Sequence, residues 1–358
     1  MSCTRANRGL TFHMSNVQSS DRSKQAEKLR VSVAMCTFNG EKYLLQQLNS
    51  IANQTVLPIE LVICDDGSSD KTMDIVRAFS EQASFSVRFV ANSQRLGSTK
   101  NFEKAIGLCT GEIIALCDQD DVWYPKKLET LASIFQSNAS LGGVFSDGEL
   151  IGEDGEPLGV ALWQSFLFYP QDQDAVSRGL AKSVFLKRSI VTGATLAFRS
   201  SVRDRVLPIP ASWVHDGWIA WMLSLNSKLG LCSEKLIAYR IHASQQIGAP
   251  TSRISFLKSI MREGHSRYFK RMRIKHIAEY EDTSRRFADL SRYLQHNREH
   301  ADPALFLQSE AKAKFSEAVA RAMGKARMLR FHRILGQTAN YFRYSARPVR
   351  VLIRDMIL

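Results

Sequence analysis

No apolar run in this 358-residue chain approaches the eighteen or so residues that cross a bilayer, so a membrane-spanning helix is not expected. The opening stretch is polar and Ser-rich and lacks the apolar core of a secretory signal, so residues 1–29 read as a disordered tail. Cysteine is sparse, six in all, and no pair has the spacing of a metal site. Cys36, Cys64 and Cys117 end apolar segments, which suits packed thiols in a reducing cytosol. Acid is missing from one long stretch, with no Asp or Glu between Glu317 and Asp355. The net charge of +13 falls wholly after residue 250, where 23 Lys and Arg stand against 10 Asp and Glu; residues 1–250 hold 25 of each.

Charge is instead concentrated at the ends of apolar segments. Ile113-Ile114-Ala115-Leu116-Cys117 reads as a buried strand that runs into Asp118-Gln119-Asp120-Asp121, three carboxylates in four residues. Burying so many negative charges is costly unless a cation shares the site. Hard oxygen ligands suit Mg²⁺ or Mn²⁺ holding a phosphorylated substrate, because such an ion takes one or two carboxylates and completes its shell with phosphate and water. The bland alternative is an acidic turn capping a helix that begins at Pro125.

Three strand-and-helix units precede this segment. Val31–Cys36 is β-rich, and Tyr43, Leu44, Leu48 and Ile51 then recur at helical spacing. Leu61–Cys64 runs into Asp65-Asp66-Gly67-Ser68-Ser69-Asp70 and a helix over 71–82; Val87–Val90 is followed by a turn at Gly97 and a helix through Phe102, Ala105 and Ile106. Apolar strands alternating with helices predict an α/β fold with a doubly wound, mainly parallel sheet. Such sheets bind ligands beyond the carboxyl ends of their strands, so Thr37, Asp66 and Asp120 are expected to share one crevice.

Five ordered pieces over residues 31–248 carry a resemblance: Cys36-Thr37-Phe38-Asn39-Gly40, Asp65 to Asp70, Cys117-Asp118-Gln119-Asp120-Asp121-Val122-Trp123, His215-Asp216-Gly217-Trp218 and Tyr239-Arg240-Ile241-His242. Together they resemble family 2 glycosyltransferases of the glycosyltransferase-A fold, and within them the rhamnosyltransferase-like members that build bacterial surface polysaccharides. The resemblance implies a catalytic domain over 30–250 that moves a sugar from a nucleotide sugar, dTDP-rhamnose as the first guess, to a lipid-linked saccharide. It implies nucleotide-sugar binding by Thr37, Asn39, Asp66 and Asp118, with Asp66 on the nucleobase. It places Asp120 on the Mg²⁺ or Mn²⁺ ion, with His242 completing the metal shell. Asp121 reads as a ligand or as a cap of the next helix. Asp216 is implied as the base in a single inverting displacement, its pKa raised among Trp213, Trp218 and Trp221. His215 stands where many relatives carry Glu and is read as a positioning residue. Gly193 and Trp218 are implied on the acceptor side. Gln245-Gln246-Ile247-Gly248 lacks the Gln-two-residues-Arg-Trp signature of processive synthases, so transfer of one sugar is expected.

Residues 251–358 read as a basic helical region, with one helix through Phe256–Met261 and another over 318–334. Arg327, Arg330, Arg333, Arg343, Arg347 and Arg350 interleave with apolar and aromatic side chains, as in helices that lie on an anionic membrane surface. That predicts a cytoplasmic protein peripheral to the inner face of the plasma membrane; a homodimer contact is the alternative use of these helices. No nucleic-acid recognition motif accompanies the charge. Two rival functions are a catalytically silent nucleotide or carbohydrate-binding module, and a haloacid-dehalogenase-like phosphatase with Asp118 as nucleophile. The second would place its loop after the first strand, whereas three units precede Asp118 here.

Overall fold

The computed structural model describes residues 29–242, 265–297, 302–325, 327–345 and 347–358. All of the expected tail over 1–29 except Leu29, the boundary at 250, the Gln245–Gly248 segment and the helix at Phe256–Met261 lie outside the described residues.

Among the described residues nine strands form one sheet: β1 (Val31–Thr37), β2 (Glu60–Asp65), β3 (Ser86–Ala91), β4 (Ile113–Cys117), β5 (Val122–Trp123), β6 (Leu141–Ile151), β7 (Pro157–Ala161), β8 (Leu196–Arg199) and β9 (Lys228–Arg240). Their order is β3-β2-β1-β4-β8-β6-β9-β5, with β7 paired to β6. The first four strands are the expected parallel, doubly wound half. A mixed half follows, in which β8 runs antiparallel to both β4 and β6 while β6 and β9 run parallel. Both faces of β1, β2 and β4 are covered, whereas edge strand β3 is partly exposed along its length. Ala34, Val62, Ile114 and Leu116 enter one core cluster, and their alternating neighbours Val33, Met35, Ile63 and Ala115 enter the other. This two-sided burial explains why these strands read as unbroken apolar runs.

Chain order reverses between β1 and β4, and the register aligns their carboxyl ends. Thr37 sits opposite Asp65, and Met35 opposite Cys117. The three acid-bearing loops therefore leave one edge of the sheet at its switch point, where such folds bind ligands. A second register matters equally. Val122 pairs with Ala238 and Trp123 with Ile237, antiparallel. Continuing that register brings Arg240 opposite Asp120 and carries His242 to the carboxylate loop.

The C-terminal helices are packed against this unit. Helix His265–His296 contributes Phe287, Leu290 and Leu294 to the core cluster that holds Trp213, Trp218 and Trp221. The single helix expected over 318–334 is two, Pro303–Met323 and Arg327–Leu335, broken at Gly324. Glycine there costs about 1 kcal/mol in a helix interior, and it serves as the C-terminal cap instead. Helices Thr338–Tyr344 and Pro348–Ile357 close a third cluster around Phe315, Tyr341 and Tyr344.

Lys312 lies between these layers, only 7% exposed. Its Nζ donates to the Tyr344 carbonyl at 2.9 Å and sits 5.4–5.9 Å from the rings of Phe287, Phe315 and Tyr344. Burial, with Arg286 close by, pushes its pKa down to about 7. An unfolded lysine titrates near about 10.4, so between these values only the unfolded chain binds the proton and stability rises with pH. Below about pH 7 both states carry it and the penalty is constant. Lys312→Met is expected to stabilise the fold by about 1–4 kcal/mol at pH 7, the range seen when buried charge gives way to apolar side chains. In urea unfolding the gap to wild type should narrow as the pH approaches 10; a gap that widens would contradict the burial argument.

Candidate active site

The loops after β1 and β2 are tied together before any ligand is considered. Thr37 Oγ1 donates to Asp65 Oδ1 at 2.7 Å, and Asp65 also accepts from Ser68 N at 2.8 Å and Ser68 Oγ at 2.6 Å. Asn39 has φ 48°, a conformation asparagine tolerates, and its Oδ1 accepts from Ser69 N at 2.9 Å. Asp66 is buried and accepts three bonds from the next loop, from Leu96 N at 2.6 Å, Gly97 N at 2.9 Å and Asn92 Nδ2 at 3.1 Å. Its carboxylate thus holds the 92–97 loop, and that loop places Arg95 3.9 Å above the Phe38 ring. Asp65, not Asp66, organises the turn.

The carboxylate loop after β4 has four side chains with four different tasks. Gln119 latches the first loop: its Oε1 accepts from Phe38 N at 2.9 Å and its Nε2 donates to Phe38 O at 3.1 Å. A side chain at Gly40 would collide with that amide, so glycine is required there. Asp120 Oδ2 lies 2.8 Å from His242 Nε2. Asp121 does not cap the following helix, which runs Lys127–Ser137 from Lys126 without a side-chain cap. It accepts from Arg240 N at 2.9 Å instead, and its other oxygen is buried with no hydrogen-bond partner among the described residues. Burial, then Asp120 and Asp118, hold its pKa well above the usual carboxylate range. Asp118 is pushed up to about 8 by burial, then by Asp120 and Asp216.

Two cations oppose these acids. Lys127 is 1% exposed, donates to Ala194 O at 2.5 Å and lies 4.1 Å from the Trp123 ring. Burial brings its pKa down to about 8 against the pull of Cys117, Asp121 and Asp118. Arg240 is buried beneath the loop; its Nε donates to Asp120 O at 2.8 Å and its Nη2 to Gln46 Oε1 at 2.7 Å. Neither was singled out in the sequence. Lys127 reads there as an ordinary solvated residue of a helix start, and Arg240 as the neighbour of His242.

Asp216 reaches the crevice from the other half of the chain. It lies in the first turn of helix His215–Asn226, after Val214 at the cap position, where a carboxylate is favoured by the helix dipole. Gly193 N donates to its Oδ2 at 3.2 Å and Gly217 N to its Oδ1 at 2.5 Å. Gly193 is needed because a Cβ would fall 2.5 Å from His215 Nε2. His215 stacks on Phe102, ring centroids 3.9 Å apart, and burial lowers its pKa. Trp218, expected against the acceptor, is instead a core residue. It is 3% exposed, packs on Trp213 and Tyr293, and donates from Nε1 to Val206 O at 2.8 Å. Apolar burial on the inner face of the helix outweighs any use of that ring as a sugar platform.

The donor set fits a divalent cation only in part. Among the described residues no three His, Cys, Asp or Glu side chains close on one point. Asp120 and His242 touch, and the charge of Asp120 bears on Asp118. That half-set suits a hard ion whose remaining positions are filled by phosphate and water, and it does not suit a closed structural zinc. The buried, unpartnered oxygen of Asp121 belongs to the same excess of acceptors.

Comparisons with known proteins agree with this geometry. The family model described as Glycosyl transferase family 2 matches residues 32–184. An uncharacterized glycosyltransferase of Nostoc sp. is 32% identical over 225 residues, covering 60% of this chain and 66% of that protein, just short of two thirds of its length. WfgD of Escherichia coli, a UDP-Glc:alpha-D-GlcNAc-diphosphoundecaprenol beta-1,3-glucosyltransferase, is 31% identical over 121 residues, 34% of this chain and 46% of that protein. Among solved structures, S. aureus TarS 1-349 in complex with UDP-GlcNAc has a TM-score of 0.52 at 16% identity, covering 89% of this chain and 83% of that one. The mannosyltransferase PcManGT from Pyrobaculum calidifontis, in complex with GDP-Man and Mn²⁺, gives 0.51 at 16% identity, with 93% and 87% covered. At that identity the two structures speak for the fold alone. The switch-point crevice and the doubly wound order agree with these matches, which lead to one assignment: residues 32–184 match glycosyl transferase family 2.

Proposed function

We propose that the chain is an inverting, non-processive, metal-dependent glycosyltransferase that moves one sugar from a nucleotide sugar to a hydroxyl of a lipid-linked saccharide in bacterial surface-polysaccharide synthesis. The observation that carries this is electrostatic: the charges of Asp120 and Asp216 both bear on buried Asp118, so the base and the metal-side carboxylates share one crevice. Asp216 takes the acceptor proton as that oxygen attacks the anomeric carbon, while the bond to the diphosphate breaks and its electron pair leaves with the nucleotide. Gly193 N–H holds the carboxylate for that task. Thr37, Asn39, Asp66 and Asp118 form the nucleotide side. Bound Mg²⁺ or Mn²⁺, held by Asp120 and His242, would supply Lewis-acid neutralisation of the leaving diphosphate. A donor-hydrolysis screen across nucleotide sugars tests the reading and needs no acceptor. Metal-dependent turnover of one donor is expected; binding of a nucleotide sugar with no turnover of any would favour the silent binding module.

The rhamnosyl donor rests on the Asp118–Trp123 and His215–Trp218 strings alone. WfgD is named for UDP-Glc, and the two structures hold UDP-GlcNAc and GDP-Man, so these donors belong in the same screen. The lipid-linked acceptor is supported by the diphosphoundecaprenol in the name of WfgD.

Residues 30–250 are proposed as the catalytic unit and 251–358 as its membrane or assembly region, peripheral to the inner leaflet. No described helix is long and apolar enough to cross a membrane. Leu335, Phe342, Val349 and Ile353 are exposed on the last three helices, among Arg333, Arg343 and Arg350, which are exposed too. Each basic residue near an anionic surface is worth about 1 kcal/mol. The double variant Phe342→Ser with Ile353→Ser should sediment less with anionic vesicles than wild type. Equal sedimentation would leave these helices to dimer formation.

A further inference from the structure

A cavity of about 160 Å³ lies between the catalytic unit and the C-terminal helices. Its walls come from the 185–191 segment, the start of helix His215–Asn226, helix His265–His296 and Lys312. Among the described residues four basic side chains line it, Lys187, Arg188, Arg286 and Lys312, and no acidic one does. Arg188 is mostly buried and pairs through Nη2 with Asp172, yet its Nε and Nη1 are buried without a hydrogen-bond partner among the described residues. Arg286 pairs with Asp282 at 3.1 Å, outside the lining. Burial and Arg286 together depress the pKa of Lys312, so these cations repel one another across the cavity. Trp213, Trp221 and Phe287 supply the apolar wall.

Asp172 and Asp282 offset the two arginines from outside the lining, but Lys312 and the unpartnered N–H groups of Arg188 remain beside a cavity with no lining acid among the described residues, an arrangement that favours an anion there. Free guanidinium N–H groups offer the fork that matches phosphate oxygens, and a buried ammonium adds a point charge. The cavity wall includes Gly217, whose N–H donates to Asp216 Oδ1, so it lies one residue along the helix from the proposed base, which does not itself line it. We propose that this cavity is a phosphate subsite that holds the diphosphate of the acceptor beside the base, with Arg188, Arg286 and Lys312 as its donors. This rests on the lipid-linked acceptor reading for its ligand, but the cavity can be tested without donor or acceptor.

The first arm titrates the full-length protein with inorganic pyrophosphate in metal-free buffer, reading the fluorescence of Trp213 and Trp221. Saturable quenching is expected in wild type, weakened about tenfold or more in Arg188→Gln, the loss of a charged hydrogen bond. Lys312→Met should weaken it similarly. Because that substitution is expected to stabilise the fold, a folding defect cannot account for the loss. The second arm compares a prenyl-diphosphate-linked saccharide with the same saccharide as a neutral glycoside: Arg188→Gln should raise KM for the first about tenfold with little change in kcat, and spare the second. Wild type that ignores pyrophosphate, variants that bind it as wild type does, or KM values that rise equally for both acceptors would each overturn the proposal. Failure of donor turnover in wild type would count against the glycosyltransferase mechanism instead, and the fluorescence arm would still decide the cavity.

Discussion

Asp216→Asn should leave donor binding nearly intact and reduce sugar transfer by about 10² to 10⁴, the range attributed to general base catalysis. The substitution is a narrow probe here. An amide oxygen can still accept from Gly193 N, as the carboxylate does at 3.2 Å, while the bond from Gly217 N to the other oxygen is given up together with the proton acceptor. Transfer and donor hydrolysis would be measured in parallel with calorimetric donor affinity. A mutant within a few-fold of wild-type turnover would remove Asp216 from the role of base. His215 would be a poor replacement: it is buried against Phe102 and its pKa is lowered by that burial. A second carboxylate would then be needed.

Asp120→Ala should abolish metal-dependent donor affinity without unfolding the protein. Its side chain faces His242, whereas its structural tie runs through the main-chain oxygen that accepts from Arg240. Alanine keeps that oxygen. On the proposed reading the carboxylate is therefore dispensable for the loop and needed for the ion, and the effect should appear as lost affinity in calorimetry with Mg²⁺ or Mn²⁺ and an unchanged melting temperature. Retained, metal-dependent affinity would transfer the ligand role to Asp118 or Asp121. The contrast with Asp121 sharpens the test, because Asp121 holds the Arg240 amide and its loss should be felt by the fold.

The parallel half of the sheet was legible because β1, β2 and β4 are buried on both faces, and β2 and β4 run into charge. Val31–Thr37, Glu60–Asp65 and Ile113–Cys117 appear within a residue or two of the expected bounds. The approach of His242 to Asp120 was legible only as resemblance. Its physical cause, the pairing of two-residue β5 with the end of β9, leaves no periodic signal in so short a strand. Trp218 and Asp121 were misplaced for a related reason. A residue type beside a motif says nothing of which way its side chain turns, and in both cases a neighbouring element, the Phe287 helix and Arg240, took the contact. Lys127 and Gln119 were missed because each looks like the commonest kind of residue for its place. The long helix expected over 318–334 ignored Gly324, although glycine near a pattern's end is a stop signal.

If the proposed function holds, the placement of Lys127 bears on how the site recovers between turnovers. A crevice whose only counter-charge arrived with its substrate would be left as a knot of mutually repelling acids each time the product departed. Here an internal ammonium and the guanidinium of Arg240 remain behind, so the resting protein already holds part of the compensation. On the proposed reading, release of the spent nucleotide then does not strand naked charge in a dry environment. The same lysine grips Ala194 O, next to the glycine that steadies Asp216. On the proposed reading, the lysine therefore ties the donor-side carboxylates to the segment that holds Asp216.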